Sequence, residues 1–576
     1  MVRRFCKMAK RVALVNGKIS TALEGQDEVQ ALLYEDGRIC EIGSDSRILD
    51  AIGGRESGSA YVVDLGGRTA IPGFVDSHNH VLSAATLLEG VNCFGLKTID
   101  ELKAAVAAKA AQAEPGEWII GAGWIESQFA ERRLPNRWDL DEVSPDNPVC
   151  LTRLFGMVVV NSKALELAGI GHGFIPNTGR VDLDPAGEPT GILREGAASY
   201  VYKAMSAGRG PGIPGQGSAY RRAAEVQEIE RRIVLALNEL LKYGITSVLD
   251  PGVTGDTMRA YTRLWATRAL PMRVSAMPGW HGMSSVSSPD YVPPALEAGL
   301  QPGVGDEWFR VGNLKMAIDG GLGSRTAMMH EPFRDGSRAI VPARLDLNRL
   351  GTYISDAHAL GWGVGIHCCG DMAHDIALSH MVEALSKRKP LPYHRHHIIH
   401  GYYPTKYALD TMAEYDIGVS LQPGFIYVEG DIYPDNIDES LLAGFKPART
   451  YLSRGIRVAI NTDVASGPYD PFVTLYGAVA RKTMTGLDFG KAEALTVREA
   501  LRCFTAGGAY LAYREKECGV LAPGYLADMA ILDRDILDAD PEELLKVKVV
   551  ATVLGGRFVH ITEEGPKVRI GQEHIR

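Results

Sequence analysis

Ile71-Pro72-Gly73-Phe74-Val75-Asp76-Ser77-His78-Asn79-His80 constrains this chain more than any other stretch. It begins as an apolar strand, entered by a turn at Pro72-Gly73, and ends in His-x-His. Side chains at i and i+2 of an extended strand point to the same side. His78 and His80 can therefore offer two imidazoles to one metal ion, and neutral imidazole suits zinc, copper, iron and nickel. The same pair also fits two polar histidines at a strand end. The metal reading thus depends on ligands from other strands.

Those strands lie in residues 71–518, where strand and helix patterns alternate as they do in a parallel sheet. Eight strand candidates are 71–78, 245–250, 271–277, 309–315, 363–367, 396–400, 417–421 and 456–463. Helical patterns fall at 219–243, 256–268, 348–360, 372–387, 404–415 and 439–454. Eight such units predict an α/β fold of the (β/α)8 TIM-barrel type, with its chemistry at the C-terminal ends of the strands. About 165 residues separate the first strand from the second, so 85–240 is expected to be an insertion capping the barrel mouth. Short β-like runs such as Val12 to Val15, Tyr61 to Val63 and Val547 to Val553, with turns at Asn16-Gly17 and Gly555-Gly556, flank the middle. They predict a small composite β-sandwich domain built from 1–70 and 519–576.

Four histidines, a lysine and an aspartate stand at five of the strand ends: His78, His80, Lys315, His367, His400 and Asp463. All would face one mouth. Two or three could be satisfied polar residues in a chain with 15 histidines; the argument for a site is that all six fall at the same end. Composition narrows the setting. A net charge of -9 argues against a nucleic-acid binder. No stretch approaches the roughly 18 apolar residues of a membrane span. The basic start is followed by Val12-Ala13-Leu14-Val15, too short for a signal peptide and ended by Asn16. Eight cysteines, with Cys368 and Cys369 adjacent, make no disulfide framework. The expectation is a soluble cytoplasmic protein with a small-molecule substrate, no nucleic-acid or membrane partner, and a homodimer as the assembly to test.

Several motifs carry a resemblance. They are Pro72 to His80, Asn161-Ser162-Lys163-Ala164-Leu165, Gly187 to Leu193, Asp319-Gly320-Gly321-Leu322-Gly323-Ser324-Arg325-Thr326-Ala327, Gly370-Asp371, Asn461-Thr462-Asp463 and Gly519 to Asp528. Over nearly its whole length the chain resembles the metal-dependent amidohydrolase superfamily, in the long-chain branch that contains N-substituted formamide deformylases. The resemblance implies a barrel with a composite β-sandwich and a zinc-type hydrolytic site. It implies that Lys315, carbamylated by CO₂, bridges two metals. A free lysine titrates near 10.4, and burial beside cations favours the neutral amine that takes up CO₂. The alternative is an ordinary buried lysine paired with Asp319 or Asp371. The first metal would have His78, His80, Lys315 and Asp463, and the second His367, His400 and the same bridge. Two zinc ions are implied, with manganese, iron or nickel as other choices. Water between two cations loses a proton near neutral pH. Asp463 would pass that proton to the leaving atom, with Lys315 and His400 as its catalytic companions; alternatively Asp463 starts a helix before Gly467-Pro468. The implied reaction is hydrolysis of a non-peptide carbon–nitrogen bond in an amide, formamide or N-acyl compound. A metal-dependent decarboxylase or other lyase, and a non-catalytic binding protein, are the competing readings.

Candidate substrate contacts are Trp124, Arg153, Arg194, His281, Arg325, Gln422 and Phe425, each with an equally open structural role. Relatives often carry Gly-His after an arginine just before the Asn-Ser motif. Arg153-Leu154-Phe155-Gly156-Met157-Val158 has no histidine, which points to a more apolar pocket. Gly320-Gly321-Leu322-Gly323 lacks a dinucleotide-binding context and reads as a tight loop. His394, His396 and His397 fall at the far end of a strand and read as structural or exposed.

Overall fold

The computed structural model describes residues 11–153, 156–177, 179–207, 218–280, 293–339, 347–387, 394–464, 466–570 and 573–575. Among them, nine short parallel strands form two sheets. The first contains β1 (Phe74–Asp76), β2 (Ile245–Val253), β3 (Arg273–Pro278) and β4 (Phe309–Val311), paired in that order. The second contains β5 (Leu314–Ala317), β6 (Val364–Cys368), β7 (His397–His400), β8 (Gly418–Leu421) and β9 (Val458–Ile460). Every residue of β5 to β9 is buried. Their largely apolar runs suit parallel strands covered on both faces. Helices such as Gly255–Ala266 and Lys406–Glu414 return the chain between strands. Each starts where a threonine hydroxyl, of Thr254 or Thr405, accepts a first-turn N–H.

Three expected elements break, each for a local reason. The strand expected over 309–315 divides at Gly312-Asn313. Gly312 N–H donates to Ala276 O beside β4, whereas Leu314 N–H donates to Gly363 O beside β6. The chain therefore steps from one sheet to the other, and Lys315 is the second residue of β5, not a strand end. The strand expected over 71–78 divides at Gly73, where a Cβ would stand 2.3 Å from the Thr246 side chain. Thr69–Pro72 pairs with Lys18–Ser20 and Met529–Leu532. The helix expected over 439–454 divides into Glu439–Leu442 and Ala448–Ser453. Pro447 cannot continue a helix from the residue before it, and Lys446 turns with φ at 46°.

Both ends of the chain share two outer six-stranded sheets. One joins Arg11–Val15, Ala31–Glu35, Arg38–Gly43 and Tyr61–Asp64 to Lys567–Ile570 and Glu573–Ile575. The other joins Lys18–Ser20, Glu28–Val29 and Thr69–Pro72 to Met529–Leu532, Val549–Leu554 and Arg557–Ile561. Leu14, Leu32 and Val63 from the first pack with Met529, Ile531 and Val553 from the second in one apolar core. A further six-stranded sheet, from Val91–Asn92 to Pro189–Arg194, lies wholly between β1 and β2 in sequence. Ser218–Leu241 stays outside that sheet and packs on Val81–Glu89 and Gly255–Ala266. Among the described residues no helix is long and apolar enough to cross a membrane.

Candidate metal centre

The segments leaving β1 and β9 are laced together by the backbone. Asp463 N–H donates to His78 O at 3.0 Å, and His80 N–H donates to Val464 O at 2.8 Å. Beneath them the buried Asp76 carboxylate accepts from Thr462 N–H at 3.1 Å and Asn79 Nδ2 at 3.0 Å. This lattice fixes three side chains. His78 Nε2 and His80 Nε2 lie 3.9 and 3.6 Å from Asp463 Oδ1. His80 precedes helix Val81–Glu89, but its ring makes no capping bond and stays turned to Asp463. Lys315 Nζ, from β5, reaches His78 Nε2 at 3.3 Å. From β6 and β7, the His367 and His400 rings stand 4.1 Å apart between centroids, and His400 is 5.7 Å from His78.

These donors fit a divalent cation. Nitrogen and oxygen ligands bound at about 2.0–2.1 Å around one tetrahedral ion stand roughly 3.3 Å from each other. The separations around Asp463 Oδ1 and His78 Nε2 run from 3.3 to 3.9 Å. Asp463 Oδ1 and His78 Nδ1 are buried with no hydrogen-bond partner among the described residues, a costly state for polar atoms that a ligand would relieve. Protonation agrees. Burial, then the Lys315 charge, holds His78 well below the usual histidine range and brings His80 down to about 3. Burial, then His367 and Lys315, does the same to His400. These imidazoles are therefore neutral, the form that binds metal. Burial pushes the Asp463 carboxyl up to about 7 against the pull of Lys315 and Lys446, and a cation at that oxygen reverses the penalty.

Sequence reasoning missed the residues that orient this set. Gln422, expected at the substrate, is fully buried; its Oε1 lies 2.8 Å from His400 Nδ1 and 2.9 Å from Lys446 Nζ. Gln422 Nε2 donates to Ser420 O at 3.4 Å, so the other amide atom is the oxygen, an acceptor, and His400 Nδ1 must carry the hydrogen. His400 Nε2 is left as a lone pair. Lys446 itself sits 3.8 Å from the centre of the Tyr402 ring, and burial lowers its ammonium well below the usual range. Its one sequence signal was Pro447, which falls inside the helix expected over 439–454. Asp319, weighed in sequence as a partner of Lys315, instead accepts from Gly370 N–H at 2.8 Å, Cys369 N–H at 3.0 Å and Met328 N–H at 3.0 Å, so it shapes the loop after β6. His400, Asp463 and Lys446 all have positive φ, at 83°, 53° and 46°. Such left-handed non-glycine residues cost on the order of 1–3 kcal/mol each and cluster at functional sites.

Of the other expected contacts, Phe425 borders this cluster, its ring centre 5.1 Å from Lys446 Nζ, whereas four arginine and tryptophan side chains bond groups elsewhere. Trp124 is buried in the sheet between β1 and β2, its indole donating to Leu151 O at 3.0 Å. Arg153 is buried, with Nε and Nη2 on Glu126 and Nη1 on Glu429 at 2.8 to 3.0 Å. Arg194 grips Asp182 with two nitrogens, and Arg325 bonds Asn436 and Asp335. Arg194 and Arg325 line a cavity of about 730 Å³ whose lining includes none of the six clustered residues. Thr326 lines the cavity, and Gly320 O, in the same loop, is 3.4 Å from His367 Nε2. Phe425 is buried in an aromatic cluster with Tyr433 and Phe445. His281, like Leu154 and Phe155, lies outside the described residues. His396 and His397, read as structural or exposed, are buried.

Comparison with known proteins gives a consistent grouping. Residues 61–560 match the model of the amidohydrolase family. The chain is 29% identical to N-substituted formamide deformylase of Arthrobacter pascens over 94% of its own length and 97% of the relative's. Among solved structures it resembles an uncharacterized metal-dependent hydrolase from Pyrococcus furiosus, at 28% identity and a TM-score of 0.67, covering 91% of this chain and 99% of that one. A second, from Pyrococcus horikoshii, gives 25% identity, a TM-score of 0.70 and coverages of 92% and 99%.

Proposed function

This chain belongs to the amidohydrolase family, a hydrolase of carbon–nitrogen bonds other than peptide bonds, and from that premise we propose that it cleaves an amide, formamide or N-acyl compound at the cluster around Asp463. The observation that carries this reading is the buried, unpartnered Asp463 Oδ1 with two histidine nitrogens at 3.6 and 3.9 Å. His78, His80, Lys315 and Asp463 would hold one divalent ion, and His367 and His400 a second, with carbamylated Lys315 shared. A bound divalent ion acidifies water to near-neutral pKa and polarises a carbonyl oxygen.

The chain's own groups do the rest. Asp463 takes a proton from the attacking water and returns it to the departing nitrogen, a task open to a buried carboxylate whose Oδ1 makes no hydrogen bond among the described residues. Gln422 and Lys446 keep His400 in the tautomer that presents Nε2. Zinc is the preferred ion, because imidazole and carboxylate donors suit it. We read the two parallel sheets as halves of one (β/α)8 barrel. The isolated bridge from Gly279 to Lys315 and the Asp463–His78 backbone bond support closure at both seams. On this reading the described strands within 11–70 and 519–575 form a composite β-sandwich, and the sheet spanning 91–194 caps the mouth.

The test uses purified protein with a panel of N-substituted formamides, acetamides and longer N-acyl amines. Release of carboxylate and amine in equal amounts, lost on chelation and restored by zinc, is the expected result. Release of CO₂ in place of a carboxylate would move the chain to a lyase.

A further inference from the structure

We propose that Cys369 is a thiolate ligand of the metal ion held by His367 and His400, so that this ion is bound by one sulfur and two imidazoles. The inference rests on the metal reading above and adds a donor of a different chemical class to it. His367-Cys368-Cys369 repeats the i, i+2 spacing of His78-Asn79-His80 at the end of another strand. Cys369 follows the last residue of β6, and its N–H is fixed by the Asp319 carboxylate at 3.0 Å. Its Sγ then lies 3.5 Å from His367 Nε2. One donor atom from each of His367, Cys369 and His400 lies within 4.8 Å of the others, and all three residues are buried.

The 3.5 Å separation is that of a thiol–imidazole hydrogen bond and is also the spacing of two ligands on one ion. A sulfur at about 2.3 Å and a nitrogen at about 2.0–2.1 Å from one tetrahedral ion stand roughly 3.6 Å apart. On coordination the S–H bond breaks, the proton leaves to solvent, and the sulfur lone pair forms the bond to the metal, with no change of oxidation state. Both cysteines border apolar cores, Cys368 with Ile366 and Tyr451 and Cys369 with Tyr402 and Phe425, but only Cys369 groups with His367 and His400. A thiolate with two imidazoles selects zinc, cobalt(II) or iron(II) over magnesium and manganese.

The experiment is X-ray absorption at the zinc edge, with optical spectra of the cobalt(II)-substituted protein, on wild type, Cys369→Ser and Cys40→Ser. Cys40 is the exposed thiol among the described cysteines and controls for stray binding. The expected result is a sulfur shell near about 2.3 Å and a near-ultraviolet sulfur-to-cobalt band, both present in wild type and Cys40→Ser and lost in Cys369→Ser. Stoichiometric metal with nitrogen and oxygen neighbours alone overturns the role of Cys369 while the metal reading stands. A sulfur shell that persists in Cys369→Ser overturns it in the same way. Protein that binds no zinc overturns both.

Discussion

The fold carries two clusters of histidine, at opposite ends of β7, and they differ in what surrounds each ring. At the carboxyl end His400 meets His78, His367 and Asp463. There a carboxylate oxygen and an imidazole nitrogen have no hydrogen-bond partner among the described residues. At the amino end the rings bond backbone and one another, although His397 Nε2 is also buried without a hydrogen-bond partner among the described residues. His396 Nδ1 accepts from Val364 N–H and its Nε2 meets His358 Nδ1, both at 3.1 Å. His394 Nε2 donates to Tyr415 O at 2.9 Å, and His397 Nδ1 lies 3.1 Å from Arg395 O. Both groupings of histidine, cysteine and carboxylate that could hold an ion among the described residues lie at the carboxyl end. Side-chain type therefore does not decide function here. What decides it is whether other donor atoms, a carboxylate or a thiol among them, converge on the ring.

The largest expected effect breaks the carboxyl-end cluster. Asp463→Asn keeps an oxygen of similar size but cannot take a proton. Its turnover should fall by about 10² to 10⁴, the usual worth of general acid–base help, with fold and most metal retained. His78→Ala removes a ligand, so metal content should fall with activity. Circular dichroism, metal analysis and rates on a turned-over amide separate the two; near-normal turnover in Asp463→Asn with full metal would remove Asp463 as the proton carrier. Next in size is Lys446→Met, which leaves Gln422 without its second partner. Metal affinity or turnover should fall about 10- to 100-fold, as for other groups that orient metal ligands. Unchanged zinc affinity in a chelator competition would reduce Lys446 to packing.

The parts of the site readable in sequence were those with a short period. His-x-His follows an apolar strand within ten residues, and His367, His400 and Asp463 each end or follow a buried apolar run. What sequence hid was pairing across long separations. Arg153 meets Glu429 across 276 residues, and nothing local to either marks the other. That pairing is why an arginine expected at substrate is committed to two glutamates. Lys446 was hidden for a different reason, because the helical period around it continued on both sides of Pro447. The step at Gly312-Asn313 was invisible because both halves are strand; only the partners, Ala276 O and Gly363 O, differ. His394, His396 and His397 looked like a polar tract, since a one-dimensional reading cannot see the carbonyls and amides that meet their rings.

Substitution at the amino-end cluster should cost stability and leave the metal alone. His396→Gln forfeits the ring bonds to Val364 N–H and His358. An unsatisfied buried group costs about 1–3 kcal/mol, so the urea midpoint should drop while zinc content stays at the wild-type level. Loss of zinc in this variant would mean that the two ends are not independent.

The smallest effect separates the ends by pH. Burial lowers His397 to about 4 even though Arg395 O pulls it upward. The unfolded chain takes up this proton near pH 6.5, whereas the native protein resists it until about pH 4. Between those values the unfolded state binds more protons, so the contribution of His397 is fully present above about pH 6.5 and is lost as pH falls toward 4. From pH 7 to pH 5 that loss is about 2 kcal/mol for one such histidine. His397→Asn cannot titrate, so its unfolding free energy should fall by about 2 kcal/mol less than that of wild type over the same interval. Urea unfolding of both proteins at pH 7 and pH 5, each with saturating zinc, measures this. Saturating metal keeps the carboxyl-end imidazoles deprotonated in both proteins, so the difference isolates the amino end. Equal pH dependence in the two proteins would mean that His397 is protonated in the native state already at pH 5, and that water reaches a ring that is 1% exposed in the structure.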